Sequence, residues 1–381
     1  MSTPGPEVAG ARAVRDEDAF DVASVSAWLR EHAGIDGDLE VRQFAGGASN
    51  LTYLLRVTPR QARGPEDARR PEDARRPEDA PGPQQDLILR RPPAGQKAKG
   101  AHDMGREYRI QSALKPVFPY VPAMVGFCDD ASVIGSQFYV MERLVGHIPR
   151  KELGLDLTPD QVHRLCTNVL DLLVDLHSLD PTEAGLADLG RGEGYVQRQV
   201  AGWSERYRRA RTWNVGSIES VMAWLEENRP ADRRTCLIHN DFRLDNVVFD
   251  EQDPTRPIGL LDWEMATLGD PLMDLGGALA YWVQADDDRL FRMFRRQPTH
   301  VPGMLTRREV VDRYCERTGI SLTEREWAFY EVFGLFRLAV IIQQIYYRYH
   351  HRQTTNRAFR FFWLACLMLE RRCRRIIRRV S

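Results

Sequence analysis

The residues best suited to chemistry lie within residues 236–262, where a polar loop separates short apolar runs. The loop carries His239, Asp241 and Asn246, and Asp262 follows the last run. Short apolar runs between turn-forming residues predict strands, so these polar side chains should lie at strand ends, where a rigid scaffold positions them. An amide and a carboxylate are oxygen ligands suited to magnesium, and a further acidic group would remain to orient a substrate hydroxyl. The apolar runs are 236–238, 247–249 and 258–261.

Two motifs in this stretch fit a known pattern. The run from His239 to Asn246 reads His-Asn-Asp-Phe-Arg-Leu-Asp-Asn, which has the form His-x-Asp, four residues, Asn. After the next apolar run, Asp262-Trp263-Glu264 stands where protein kinases have Asp-Phe-Gly. Together they resemble the motifs of the aminoglycoside phosphotransferase and choline kinase-like family of small-molecule kinases. The resemblance implies an α+β, protein-kinase-like fold of two lobes, with a small N-terminal β-sheet lobe and a larger, mainly helical C-terminal lobe.

The resemblance also implies a role for each motif residue. Asp241 would be the catalytic residue that orients an acceptor hydroxyl and accepts its proton, with ATP as the phosphoryl donor. Asn246 and Asp262 would hold Mg2+. His239 is expected to hold the loop by hydrogen bonds, not to carry a proton. Asp274 would brace the catalytic loop.

A glycine-rich turn in the first lobe is a candidate phosphate-binding loop. Residues 39–44 and 51–57 alternate like strands, and 45–50 between them read Ala-Gly-Gly-Ala-Ser-Asn. Glycines let backbone N–H groups approach anionic oxygens closely. An ordinary hairpin is the alternative for the turn considered alone. GGxSN at this point resembles the family's loop, which favours phosphate binding.

The next strand, at 86–91, carries arginine where protein kinases carry lysine. The resemblance implies that Arg90 grips the nucleotide phosphates, because the arginine fork suits phosphate oxygens, and that Glu107 pairs with it. Arg91 should point to the opposite face of the strand. The residues implied to bind the nucleotide are Gly46, Gly47, Ala48, Ser49, Asn50, Arg90, Glu107, Glu142 and Leu144, the last two through the backbone of a hinge.

The chain is predicted to have a disordered N-terminus at 1–18, a nucleotide-binding lobe at 19–144 and a catalytic and acceptor-binding lobe at 145–381. Residues 62–83 form a hexapeptide repeat, with a proline every six residues and alternating charges. That pattern predicts a disordered insertion between two strands. Residues 195–213, rich in arginine and aromatic residues, form either an acceptor-binding wall or a solvated amphipathic helix.

Composition limits the other function classes. Among the 381 residues the net charge is −1, which gives no electrostatic argument for nucleic acid or for a membrane surface. The apolar run 361–369 is too short to span a bilayer. Six cysteines without a CxxC pair suit a reduced, cytoplasmic protein. The expected partner is a small-molecule hydroxyl acceptor, and the sequence leaves the oligomeric state open.

Two departures from the family pattern bear on the acceptor. Asn240 replaces the common glycine of His-Gly-Asp, which should tighten the loop, and Glu264 could contact either metal or acceptor. The run Asp-Trp-Glu-Met-Ala-Thr-Leu-Gly-Asp-Pro looks closest to kinase domains found beside acyl-CoA dehydrogenases, which implies a hydroxy-acyl acceptor. An antibiotic phosphotransferase and a non-enzymatic nucleotide-binding pseudokinase are the alternatives. The arginine-rich second lobe favours an anionic acceptor over a polycationic antibiotic.

Overall fold

The computed structural model describes residues 8, 10–44, 50–59, 84–93 and 103–381. The chain divides into two compact units, Met1–Leu144 and Val145–Ser381, so the division falls at the residue where the lobe boundary was predicted. The predicted insertion at 62–83 and the turn residues Gly46 to Ser49 lie outside the described residues.

The first unit is built on a six-stranded antiparallel sheet. Its strands are β1 (Ala11–Arg12), β2 (Asp38–Phe44), β3 (Leu51–Thr58), β4 (Gln85–Arg91), β5 (Met124–Cys128) and β6 (Phe138–Glu142), and its helices are α1 (Val22–Ala33) and α2 (Met104–Leu114). The strand order is β1-β2-β3-β4-β6-β5. Side chains alternate between the faces of the sheet. Tyr53 and Leu55 pack with Trp28 of α1, whereas Leu54 packs with Met104 of α2.

The prediction of disorder at residues 1–18 is wrong for the described part of that segment. Ala11 and Arg12 pair with β2, and the 3-10 turn Asp16–Asp18 follows. The side chain of Asp18 is buried and accepts a hydrogen bond of 2.8 Å from Gln43 Nε2. Its backbone oxygen accepts from Tyr53. The local composition is polar, but distant partners satisfy the polar groups, and composition cannot reveal such partners.

The second unit is mainly helical. Its helices are α3 (Pro159–Ser178), α4 (Tyr195–Ala210), α5 (Glu219–Glu227), α6 (Pro271–Leu279), α7 (Arg289–Met293), α8 (Arg307–Thr318), α9 (Glu324–His350) and α10 (Phe362–Val380). Helix α3 begins with a capping box, in which Thr158 and Gln161 each accept a backbone hydrogen bond from the other. The α+β architecture of the two units agrees with the predicted class.

Helix α9 is the central element of this unit. Within the described residues it is the one helix long and apolar enough to cross a membrane, yet 61% of its most apolar window is buried inside the structure. It packs against α4, α6 and α10. This burial is typical of the core helix of a helical unit.

Four short strands carry the region singled out from the sequence. They are β7 (Cys236–Ile238), β8 (Val247–Phe249), β9 (Pro257–Leu260) and β10 (Thr267–Gly269). Strand β7 pairs with β10, and β8 pairs with β9, both antiparallel. The first two strands have the predicted bounds, β9 is shifted by one residue, and β10 was not predicted.

Candidate active site

The two strand pairs place the predicted motif residues at strand ends. Asn246 immediately precedes β8, and Asp262 follows β9 after one residue. The backbone N–H of Leu261 donates to the backbone oxygen of Asn246 at 2.8 Å. This bond extends the β8–β9 ladder, so the two proposed metal ligands extend from adjacent backbone segments.

His239 ties the catalytic loop to the segment before Asp262. Its Nδ1 accepts from the backbone N–H of Asp241 at 3.3 Å, which assigns the ring proton to Nε2. Nε2 then donates to the backbone oxygen of Leu261 at 3.0 Å. The ring is fully buried against Trp263, 4.9 Å between centroids. Its contacts are those of a loop-holding residue, as predicted.

Asp274 of α6 holds the backbone of the same loop. Its carboxylate accepts from the backbone N–H groups of His239 and Asn240, both at 2.8 Å. His177 Nε2 lies 3.2 Å from the same carboxylate, and its Nδ1 lies 2.7 Å from the Tyr314 hydroxyl. Burial acts to raise the pKa of Asp274, but hydrogen bonding to His177 and to the His239 backbone outweighs burial, and the pKa is lowered. A buried carboxylate therefore fixes the loop through its backbone.

Asp241 and Asn246 are joined directly. The amide nitrogen of Asn246 donates to the backbone oxygen of Asp241 at 2.9 Å and to its Oδ2 at 3.2 Å. Because the nitrogen is used in these bonds, the amide oxygen is the atom that can bind a cation. It matches the hard oxygen character that magnesium prefers, as does the carboxylate of Asp262.

The donor set fits magnesium better than a transition metal. Within the described ranges no group of three or more His, Cys, Asp and Glu side chains could hold a metal ion. Magnesium is commonly bound by one or two protein ligands together with water and substrate phosphates. Asn246 and Asp262 are sufficient for such a site.

Two non-glycine residues of the site adopt left-handed backbone conformations. Asn240 has φ 63° and Asp262 has φ 68°. Such residues are uncommon and concentrate where the surrounding structure enforces them. The Asn240 amide nitrogen donates to the Met265 backbone oxygen at 3.1 Å, and its amide oxygen accepts from the Tyr195 hydroxyl at 3.2 Å. Asparagine thus keeps the backbone conformation that glycine favours and adds two ties, which accounts for this departure from the family pattern.

An arginine beside the proposed base was not predicted. Arg243 Nε lies 3.5 Å from Asp241 and 3.1 Å from Asp245, and its guanidinium is 5.2 Å from the Tyr281 ring centroid. Burial raises the pKa of Asp245, and the charge of Asp241 adds to the increase against the opposing effect of Arg243. In the sequence, the position of Arg243 inside the motif was the signal that could have indicated this contact.

A second arginine contacts the loop from α9. Arg337 Nη2 donates to the backbone oxygen of Asn240 at 2.8 Å, and its guanidinium lies 5.4 Å from the Trp203 ring centroid. Trp203 also carries the guanidinium of Arg206 at 4.5 Å. The guanidinium of Arg337 therefore connects the catalytic loop to α4. The interpretation of 195–213 as an acceptor-binding wall stays a prediction. No sequence spacing could connect Arg337 to Asn240.

The first unit brings three of the predicted nucleotide-binding residues together. Arg90 Nη1 lies 3.5 Å from Glu107 Oε2, so the predicted pair is present. Asn50 Nδ2 donates to Glu107 Oε1 at 2.8 Å, and the Tyr139 hydroxyl donates to Oε2 at 2.8 Å. Glu107 is 1% exposed, and these three contacts fix its carboxylate firmly. Arg91 points to the other face, as predicted, and donates to the backbone oxygen of Asp18 and to the Tyr53 hydroxyl.

The proposed hinge residues end the first unit. Glu142 Oε1 accepts from the Ala123 backbone N–H at 2.7 Å and from Lys115 Nζ at 3.2 Å. Its side chain is therefore engaged within the sheet. A role of Glu142 and Leu144 in binding adenine through their backbone stays a prediction.

Comparison with known proteins places this geometry in a family. The family model described as the phosphotransferase enzyme family, APH, matches residues 40–310. Acyl-CoA dehydrogenase family member 10 of Mus musculus is 33% identical over 344 residues, which are 90% of this chain and 30% of that protein. Family member 11 of Rattus norvegicus is 33% identical over 87% of this chain and 40% of that protein. The chain thus spans well under half the length of these curated relatives.

Solved structures share the fold. A Ralstonia eutropha protein provisionally assigned as an aminoglycoside phosphotransferase superposes with a TM-score of 0.70 and 28% identity, covering 94% of this chain and 96% of that one. Macrolide 2′-phosphotransferase type I, at TM-score 0.56 and 16% identity over 94% of this chain and 98% of that one, shows the fold alone. The resemblance inferred from the motifs and the kinase-like fold class are both confirmed. The chain belongs to the phosphotransferase enzyme family of kinase-like, small-molecule phosphotransferases.

Proposed function

We propose that this protein transfers the γ-phosphoryl group of ATP, in the presence of Mg2+, to a hydroxyl group of a hydroxy-acyl metabolite. The observation that carries the proposal is the junction of Asp241 and Asn246, braced by Asp274 and held beside the segment that ends at Asp262. A protein that only bound nucleotide would have no use for a carboxylate held in this way.

Asp241 is the residue that acts on the acceptor. Because Asn246 fixes one of its carboxylate oxygens, Asp241 can accept a hydrogen bond from the acceptor hydroxyl in one orientation and take its proton as the phosphoryl group arrives. The transition state of phosphoryl transfer is loose, so positioning contributes more than the strength of the base.

The remaining side chains would hold the donor. Asn246 and Asp262 supply the oxygen ligands for Mg2+, which when bound neutralises charge between the phosphates. Arg90, held by Glu107, would grip phosphate oxygens with its planar fork. The glycine-rich turn at residues 46–49, outside the described residues, would cover them.

Charge and relatives support the choice of acceptor. The matched curated relatives are named as acyl-CoA dehydrogenases, which favours the same class of acyl compound as the acceptor of a domain that resembles part of them. Arg206 lies beside Trp203 on α4, which is proposed to line the acceptor site, and Arg337 of α9 contacts the same ring. Guanidinium groups favour an anionic acceptor and would repel a polycationic aminoglycoside.

The test is ATP turnover with Mg2+ across hydroxy-acyl-CoAs, aminoglycosides and macrolides, run beside Asp241→Asn. We expect turnover that one hydroxy-acyl compound stimulates and that falls by about 10²-fold or more in the variant. Stimulation by an aminoglycoside alone would show that the acceptor is an aminoglycoside and not a hydroxy-acyl compound. Binding of Mg-ATP with no stimulation by any acceptor would contradict the enzymatic proposal and favour a pseudokinase.

A further inference from the structure

A cationic groove lies in the second unit, and its lining residues differ from the residues proposed for catalysis. It has a volume of about 310 Å³ and is lined by Arg289, Arg292, Met293, Arg295 and His300. We call it the α7 groove, because α7 forms one side of it. A space of this size is at the lower end of small-molecule sites and could hold one phosphate-bearing group.

The acidic residues that precede α7 form no ion pair with Arg289 or Arg292 in the described part of the chain. Asp287 pairs with Arg307 and Arg372, which lie on α8 and α10. Asp288 caps α7 by accepting from the Phe291 backbone, and Asp286 accepts from Gln284. All three carboxylates preceding α7 are therefore engaged elsewhere.

Two of the three arginines that line the groove keep their charge available. Throughout the described part of the chain neither Arg289 nor Arg292 makes an ion pair, and Arg292 donates only to the Ala285 backbone oxygen, at 3.2 Å. Arg295 pairs with Glu152 at 2.6 Å and contacts His300. Unpaired guanidinium groups around a concave surface are suited to bidentate binding of phosphate.

The surface beside these cations is apolar. Leu290 is 54% exposed and Met293 is 69% exposed, on a helix of five residues. A ligand that fits must therefore combine anionic oxygens with an apolar stretch. Free inorganic phosphate would use only the cationic half of the surface.

The groove is anchored to the catalytic loop. Gln297, within the segment that lines the groove, is 1% exposed, and its Oε1 accepts from the Leu244 backbone N–H at 2.7 Å. Leu244 belongs to the motif that contains Asp241. The segment that lines the groove and the motif that carries the proposed base are thus joined by a buried hydrogen bond.

From these contacts we infer that the α7 groove binds a phosphate-bearing, partly apolar handle of the acceptor. This inference rests on the proposed function. It makes the handle the basis of acceptor recognition, while Asp241 acts on the hydroxyl at the other end. Acceptors with the same hydroxyl but without the handle should bind weakly.

The first experiment measures binding without turnover. Free coenzyme A is titrated into the full chain by calorimetry, in the presence of saturating Mg2+ and a non-hydrolysable ATP analogue that fills the nucleotide site. Arg289→Ala/Arg292→Ala should weaken binding about tenfold or more, since each charged hydrogen bond contributes more than a neutral one. Arg371→Ala/Arg375→Ala, which removes two exposed arginines of α10, is the matched control and should leave binding unchanged.

The second experiment compares one hydroxy-acyl group carried by coenzyme A and by the short thiol N-acetylcysteamine. The groove variant should raise KM for the coenzyme A ester about tenfold, with kcat and the KM of the short thioester unchanged. Equal KM values for both esters in the unmodified protein would overturn the inference. An α10 control variant that weakens binding as much as the groove variant would also overturn it. Coenzyme A binding that is lost when the ATP analogue is added would do the same. Inorganic phosphate that displaces coenzyme A at equal concentration would show a simple anion site instead and would equally overturn it.

The proposed function and the inference about the α7 groove can each be contradicted without the other. Groove-dependent binding of coenzyme A without turnover of any hydroxy-acyl ester would remove the proposed function and leave the groove as a binding site. Turnover of a hydroxy-acyl acceptor with no effect of Arg289→Ala/Arg292→Ala would remove the groove and leave the function. Circular dichroism of each variant establishes that it is folded before either result is read.

Discussion

Asn240 shows how one side chain can join several parts of an active site. Its left-handed backbone is compatible with glycine, while its side chain reaches Met265 and Tyr195. Asn240→Gly keeps the backbone conformation and the two hydrogen bonds of the backbone N–H and C=O, but it loses the two side-chain hydrogen bonds. We expect kcat to fall several-fold while the free energy of unfolding drops by only about 1–2 kcal/mol.

The control for this prediction is Asn240→Ala. Alanine loses the same two ties and also adds strain of about 1 kcal/mol in a left-handed conformation. Urea unfolding should therefore rank the variants as asparagine, glycine, alanine from most to least stable. A glycine variant with unchanged kcat would mean that only the backbone conformation matters at this position.

Asp274 should make the catalytic loop sensitive to acid. Its pKa is lowered in the folded protein, so its contribution to stability is present above the unfolded value of about 3.9 and is lost as pH falls through the folded pKa. Asp274→Asn places an amide against backbone N–H donors and should cost about 3 kcal/mol or more near pH 7. The difference in unfolding free energy between the two proteins should shrink below about pH 4. A constant difference from pH 3 to 7 would contradict this account.

At the scale of elements, sequence reasoning succeeded where local chemistry decides the structure. Strands β7 and β8 have the predicted bounds because they are short apolar runs between polar turns. Helix α3 likewise begins at a local signal, a threonine cap followed by proline. Strand β10 was missed because three residues ending in glycine form a strand only when β7 is available to pair with them.

Helix α6 begins at Pro271, directly after Asp270. Asp270 caps it by accepting from the Leu272 and Met273 backbones, and also accepts from the Arg233 backbone at 2.7 Å. An aspartate followed by proline is a recognisable sequence signal for the start of a helix.

This cap provides a prediction at the scale of the element. Asp270→Ala leaves three backbone N–H groups without their acceptor and should lower the free energy of unfolding by about 2–3 kcal/mol. Asp270→Asn retains an acceptor oxygen. Burial raises the pKa of Asp270, so loss of its charge costs less than loss of its oxygen atoms. Urea unfolding should therefore show less than half the alanine effect for asparagine, and equal effects would contradict the capping role.

At the scale of the whole molecule, each unit contains a complete polar network of its own. The first unit has Arg90, Asn50 and Tyr139 around Glu107, and the second has the catalytic loop around Asp274. The sequence indicated which motif residues belong to each unit. It could not indicate Tyr139, His177 or Arg337, because these partners are fixed by tertiary packing across long separations in the chain.

The separation of the two networks predicts separable kinetic effects. Glu107→Gln removes the charge that holds Arg90, so KM for ATP should rise about tenfold while KM for the acceptor stays unchanged. Arg289→Ala/Arg292→Ala in the second unit should raise KM for the acceptor and leave KM for ATP unchanged. Because the two sets of residues lie in different units of the chain, their effects on kcat/KM should combine additively within about 0.5 kcal/mol in the triple variant. Steady-state kinetics of the single, double and triple variants measures this. A larger coupling would show that acceptor and nucleotide sites communicate, and a rise in acceptor KM in Glu107→Gln would show that the first unit also shapes acceptor binding.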